Sequence, residues 1–185
     1  PEPEPEPEII PTLYGNFIEG YVRNASGKVL DLTNANKIIE IIHSNDKGLW
    51  YITTPLAELP ILYKVEMAPG GTDIATGKII NTTYFNIITR QQSIDASMTF
   101  VNVTPITTLK SLIVLNKFKT NPTADILETL EYAKYKISIS LDLNFNNIND
   151  DYIFTQNKNL AKDSIKINTL IDAIQLCLQY ANSSI

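Results

Sequence analysis

At 185 residues the chain holds one ordinary domain, or a small domain with an appendage. Its 44% hydrophobic content is that of a folded protein and excludes a wholly disordered one. The net charge is −5, and Glu2, Glu4, Glu6 and Glu8 supply most of it, so the remaining chain is close to neutral. With no basic stripe to neutralise phosphates, nucleic acid is not an expected partner.

Cys177 is the single cysteine, which rules out an internal disulfide and a cysteine-based zinc site. It leaves the compartment open. No run of about 18 apolar residues occurs, so no membrane span is expected. The chain starts at Pro1 with no leader-like stretch and reads as a processed or excised piece. Isoleucine and asparagine abound and Lys outnumbers Arg, a bias of AT-rich coding sequence that accounts for many Asn residues without a functional reason.

Residues 1–8 read Pro-Glu four times over. Proline fixes φ and removes a donor, and the residue before it avoids helix, so a stiff polyproline-II rod of roughly 25 Å is predicted over residues 1–8, within a spacer of residues 1–10. Residues 11–103 then carry β patterning. Strands are predicted at Phe17–Val22, Gly27–Leu32, Lys37–His43, Leu49–Thr53, Ile61–Met67, Thr83–Ile88 and Met98–Val103. Turn chemistry separates them at Asn24-Ala25-Ser26 and Asn45-Asp46-Lys47-Gly48. In the fifth strand Ile61, Tyr63, Val65 and Met67 should face one way, and Lys64 and Glu66 the other. Seven short strands point to a sandwich, not a βαβ sheet.

From Thr104 the period becomes helical, and residues 104–185 form a helical segment packed on the sandwich. Thr104 is placed as an N-cap with Pro105 in the first turn, and Ile106, Leu109 and Ile113 share a face. Asn121-Pro122 repeats the device ahead of Ile126, Leu127, Leu130, Ala133 and Ile137. The last helix, about Ser164–Asn182, carries a stripe of Ile167, Leu170, Ile171, Ile174, Cys177, Leu178 and Ala181. That stripe must be buried, either on the chain's own core or on a partner. The fold class is thus α+β: an antiparallel Ig-like β-sandwich followed by a C-terminal helical segment.

Two motifs stand out: Gly70-Gly71-Thr72-Asp73-Ile74-Ala75-Thr76-Gly77 and Asn102-Val103-Thr104-Pro105-Ile106-Thr107-Thr108-Leu109. They follow Gly20-Tyr21-Val22-Arg23-Asn24-Ala25 and the turn Asn45 to Trp50. In this order the four pieces resemble a carboxypeptidase-regulatory-like or Cna-B-like β-sandwich module of bacterial surface proteins, over about residues 15–140. The resemblance implies a structural or adhesive role, and a Lys–Asn isopeptide crosslink, with Lys28 or Lys64 as amine and Asn102 as acceptor. Physically, Gly70, Gly71, Asp73, Thr76, Gly77, Thr104 and Pro105 read as folding devices: glycines for unusual backbone, short side chains for local hydrogen bonds.

Catalytic chemistry is thin. His43 is the lone histidine, no G-x-S-x-G turn presents a serine, and no phosphate-binding glycine loop occurs. Cys177 on an apolar stripe reads as a small hydrophobe. Asp150 and Asp151 are adjacent, so they point apart and suit joint acid–base work badly. A calcium site is the one metal option: Asp142, Asn144, Asn146 and Asp150 alternate as in the start of an EF-hand loop. The pattern then departs, with Asn147 for the glycine and Ile153 for the bidentate Glu. Sequons stand at Asn24, Asn81, Asn102 and Asn182.

The expectation is a non-enzymatic structural or adhesive module without a resident cofactor, displayed extracellularly on a cell surface or appendage. Its partners would be neighbouring protein domains, identical subunits or a surface glycan. The alternatives are a self-assembling fibre or virion subunit and a calcium-dependent carbohydrate-binding module.

Overall fold

The computed structural model describes residues 13–94, 100–144, 146, 148–149, 151–156 and 158–183. The spacer of residues 1–10 and the start of the strand expected at Met98 lie outside them. Among the described residues the chain is α+β. Eight strands run in order: β1 (Leu13–Asn16), β2 (Val22–Arg23), β3 (Ser26–Asp31), β4 (Lys37–His43), β5 (Leu49–Ile52), β6 (Leu62–Met67), β7 (Thr72–Asp73) and β8 (Tyr84–Thr89). A 3-10 turn, Leu56–Glu58, precedes β6. Four α-helices follow: α1 (Arg90–Ile94), α2 (Pro105–Thr120), α3 (Ile126–Leu141) and α4 (Lys158–Ser183).

The main sheet has the order β4-β3-β6-β8, antiparallel throughout, and β1-β5 and β2-β7 form two smaller antiparallel pairs. β6 alternates as its sequence predicts. Tyr63, Val65 and Met67 are fully buried, while Lys64 pairs with Glu66 at 2.6 Å on the other side. Ile61 breaks the expected alternation and is exposed, because it precedes β6 and the ladder begins with Leu62 opposite Thr89. The turn before β5 forms as its chemistry demands. Asn45 Oδ1 accepts from the N–H groups of Lys47 and Leu49, and Gly48 sits at φ +79°.

Two expected strands are not continuous. Phe17–Val22 contains isolated bridges at Phe17 and Ile18, a turn at Glu19-Gly20 and then β2. The extended pairing lies earlier, in β1. At the far end, Phe100 and Val103 make single parallel bridges to Tyr14 and Phe17 instead of forming a strand. Gly15 makes that approach possible, since a Cβ there would lie 1.7 Å from Val101 O. The core is centred on Phe17 and Trp50, whose rings stack at 5.8 Å between centroids, with Leu13, Ile52, Tyr63 and Tyr84 around them.

α2 starts where Thr104-Pro105 predicts. Thr104 Oγ1 accepts from Thr107 N–H at 3.0 Å and Thr107 Oγ1 accepts from Thr104 N–H at 2.8 Å, a reciprocal cap. The second proposed start is displaced. Asn121 closes α2 as its C-cap, and the N-cap of α3 is Asp125, whose carboxylate accepts from Glu128 N–H at 2.9 Å. A carboxylate beside free N–H groups at the positive end of a helix dipole outcompetes the Asn-Pro pair. α3 buries Leu130, Ala133 and Ile137, but Leu127 is exposed. α4 begins before Ser164, at Lys158. It buries Ser164, Ile167 and Ile171, whereas Leu170 points outward, so the buried stripe is narrower than the sequence predicts. The side chains expected further along it, including Cys177, lie outside the described residues.

Candidate functional site

One edge of the main sheet is β8, and α2 lies along it. The N–H groups of Phe85 and Ile87 point away from β6 and donate to Thr108 Oγ1 and Ser111 Oγ, both at 2.9 Å. These hydroxyls in turn donate to the carbonyls of Thr104 and Thr107, four residues back in the helix, at 2.8 and 2.7 Å. Each hydroxyl therefore spends both its proton and a lone pair. Thr89 N–H finds Gln92 Oε1 at 3.1 Å. A helix face of short hydroxyls substitutes for a fifth strand.

Below that joint runs a seam of buried and half-buried polar side chains. Lys110 is 3% exposed, and its Nζ donates to Asn86 Oδ1 at 2.5 Å and to Asn149 Oδ1 at 3.3 Å. Asn86 Nδ2 donates to the Asn102 carbonyl at 2.8 Å, and Asn102 Nδ2 to the Asn149 carbonyl at 3.1 Å. Asn102 Oδ1 accepts from Asn16 N–H at 3.3 Å. Asn16 Nδ2 and the Tyr21 hydroxyl both donate to Asp151 Oδ2, at 3.1 and 2.8 Å. The seam thus links β1, β8, α2 and the connection between α3 and α4. Burial pushes the Lys110 ammonium down to about 7, Lys134 adds to the fall, and Glu131 opposes it. Burial and the neighbouring Asp151 carboxylate push the Tyr21 phenol well above its ordinary range.

A second polar group fastens α4. The half-buried carboxylate of Glu19 accepts from Asn168 Nδ2 at 2.8 Å and from the Tyr84 hydroxyl at 3.1 Å. Asn168 Oδ1 also meets that hydroxyl, and Thr82 Oγ1 meets Asp172. Burial raises the Glu19 carboxyl above its usual range, and Asp172 and Asp73 add to the rise against the Tyr84 bond and Lys78. Tyr152 donates to the Ile18 carbonyl at 3.2 Å and accepts from Ser164 at 2.9 Å.

The Gly70–Gly77 motif forms a compact loop around β7. Asp73 Oδ1 accepts from Ala75 N–H at 2.7 Å and Thr76 N–H at 3.3 Å, and Thr76 Oγ1 accepts from Lys78 N–H. Gly70 and Gly77 have φ of +111° and +71°, conformations that side chains disfavour. Gly71 does not share that geometry. It is fixed by space, because a Cβ there would lie 2.5 Å from the Val22 side chain.

The calcium candidates lie in the connection after α3. Asp142 is the left-handed C-cap of α3 at φ 52°, and Asn144 Oδ1 already accepts from Asn146 N–H at 3.0 Å. Asp150 lies outside the described residues. No cluster of three or more His, Cys, Asp and Glu side chains placed to hold a metal occurs among the described residues. His43 is exposed at the end of β4, opposite Ser26. Neither lysine proposed for a crosslink sits at Asn102. Lys64 is held by Glu66, and Lys28 is exposed on β3. Asn102 is itself 2% exposed, which closes that sequon to a glycan. The lysine that does enter the asparagine seam is Lys110. Short hydroxyls, Thr107, Thr108 and Ser111, flank it on one helix face. No helix of the described residues is long and apolar enough to cross a membrane.

Compared with protein-family models, curated proteins and solved structures, the chain matches none.

Proposed function

We propose that this chain is a non-enzymatic structural module: an Ig-like β-sandwich with a helical segment fastened to it, displayed outside the cell on a surface or appendage behind its Pro-Glu spacer. The observation that carries the reading is the fate of the buried polar groups. Lys110, Asn86, Asn102, Asn16 and Asp151 are the residue types from which a reactive site is built, and here they bond one another across four parts of the fold. A seam of that kind holds parts of the fold together. The motif order Gly70–Gly77 followed by Thr104–Leu109 supports the same reading through its resemblance to surface-protein modules.

An antibody against residues 13–183 tests the location on intact and permeabilised source cells or particles. Equal staining of both is expected; staining that requires permeabilisation overturns display. Limited proteolysis tests the spacer. The expected outcome is rapid cleavage confined to residues 1–12 and a resistant body, and cleavage distributed through the body sinks the module reading.

A further inference from the structure

The main sheet has two edges, and they are finished differently. On β8 the outward N–H groups are taken by Thr108, Ser111 and Gln92. On β4 the backbone ladder runs to β3 alone. Apart from Lys37 N–H, which meets the Asn34 carbonyl, the outward backbone of this strand has no hydrogen-bond partner among the described residues. The strand is Lys37-Ile38-Ile39-Glu40-Ile41-Ile42-His43, rich in a strong β-former. Ile38 is 48% exposed and Ile41 is 59% exposed, too much for a strand that has finished burying its apolar surface. An unpaired row of N–H and C=O groups flanked by exposed isoleucine is a template for another strand.

The geometry points to a second copy of this chain: we propose that β4 pairs antiparallel with β4 of another molecule across a two-fold axis, through Glu40 to Ser44. An antiparallel strand edge is complementary to itself, so the interface needs no second surface. A bulge interrupts the β3–β4 register, where Val29 faces Glu40 but Leu30 faces Ile38, and this leaves Ile39 outside the regular ladder. The regular stretch therefore begins at Glu40 and continues to Ser44, whose N–H still bonds the Ala25 carbonyl at 2.9 Å. The whole Glu40–Ser44 stretch pairs with itself only about Ile42, and charge rules out the register centred on Glu40. Centring the axis on Glu40 would set two carboxylates directly opposite, a destabilising pair. Centring it on Ile42 sets Glu40 opposite Ser44 and Ile41 opposite His43, with no like charges facing.

So short an edge buries less than the roughly 1,200 Å² of a stable interface. The pair is accordingly weak in free solution and effective where copies are held close, as on a shared surface or in tandem. The proposal is separate from display: a strict monomer could still be a displayed module.

Sedimentation velocity on the full chain, from micromolar to millimolar concentration, tests it. A reversible monomer–dimer equilibrium is expected for the wild type. Ile41→Lys should abolish the dimer and leave the melting temperature nearly unchanged, since the side chain is mostly in solvent. A wild type that stays monomeric at millimolar concentration, or a dimer that survives in I41K, overturns the proposal. The variant Ile41→Cys/His43→Cys/Cys177→Ser gives an independent reading through mild oxidation and peptide mapping. Interchain 41–43 disulfides support the Ile42-centred pairing, and their absence at concentrations where the wild type is dimeric overturns it.

Discussion

The two edges of the main sheet pose the same problem to the chain, and only one is solved from within. At β8 the outward backbone groups are met by hydroxyls of α2, and directly beneath them Lys110 and three asparagines fill the interior with mutually satisfied polar groups. At β4 the nearest comparable device is Glu40, whose carboxylate accepts from the N–H and hydroxyl groups of Thr53 and Thr54. That ties β4 to the chain after β5 and leaves its outward backbone without a partner among the described residues. The difference teaches where rigidity resides. A joint made of buried, interdependent hydrogen bonds fails as a unit, whereas a half-exposed carboxylate can be lost with little consequence.

The largest effect should come from Asn86. Asn86→Leu removes the 2.5 Å acceptor of Lys110 and the donor to the Asn102 carbonyl at once. An amine and a carbonyl left short of buried partners cost about 1–3 kcal/mol each, which in a chain of this size lowers the melting temperature by roughly 10 °C. Thermal unfolding followed by circular dichroism checks this, and a loss below a degree or two would mean that the seam is not a unit. Next in size is a pH effect. The Lys110 ammonium is depressed from its ordinary 10.5 to about 7, so the unfolded chain binds a proton that the folded chain does not between those values. Stability should therefore rise as pH increases from about 7 toward 10. The gain should end near pH 10, because Tyr63, Tyr84 and Tyr152 have phenols raised by burial and favour the folded state only while protonated. Urea unfolding at several pH values reads the slope, and Lys110→Met should flatten it.

How legible these features were depends on how local their causes are. The cap at Thr104-Pro105 is visible because everything it needs lies within four residues, and the Asn45–Gly48 turn is visible for the same reason. The displaced start of α3 shows the limit of local signals: Asn121-Pro122 looks like a helix start, yet the carboxylate of Asp125, four residues on, makes the cap. The role of α2 was not legible. Thr107, Thr108, Lys110 and Ser111 look like the solvent side of an amphipathic helix, and nothing nearby states that the sheet edge they satisfy lies more than twenty residues earlier. The fragmentation of the first expected strand has a similar cause. Phe17–Val22 has sound β-propensity, but the loop carrying Asp73 presses on Gly20, whose Cβ would lie 2.6 Å from the carboxylate, and the chain turns there. Burial of a lysine among asparagines, far apart in sequence, is a tertiary fact that single-sequence periodicity does not encode.

Ser111→Ala sharpens the contrast at intermediate size. It strands the Ile87 N–H in a buried place and should cost about 1–3 kcal/mol. Hydrogen exchange locates the damage: the Ile87 amide should lose protection more than the inner amides of β8, and uniform loss along the strand would mean that the hydroxyl is not an edge cap.

The smallest effect belongs to the other edge. Burial alone would raise the Glu40 carboxyl, but the Thr54 hydroxyl and the N–H groups of Thr53 and Thr54 outweigh it and hold the group below the usual carboxylate range. Its contribution is therefore present above the ordinary carboxylate range and fades as pH falls through the depressed value. Glu40→Gln keeps an acceptor but loses the charge, and because the group is largely in solvent the cost at neutral pH should stay below about 1 kcal/mol. Urea unfolding at pH 7 and pH 3 separates the two states, since the difference between wild type and variant should shrink at the lower pH. A cost equal to that of Asn86→Leu would erase the contrast between the edges, because a single half-exposed carboxylate would then hold β4 as firmly as the buried seam holds β8.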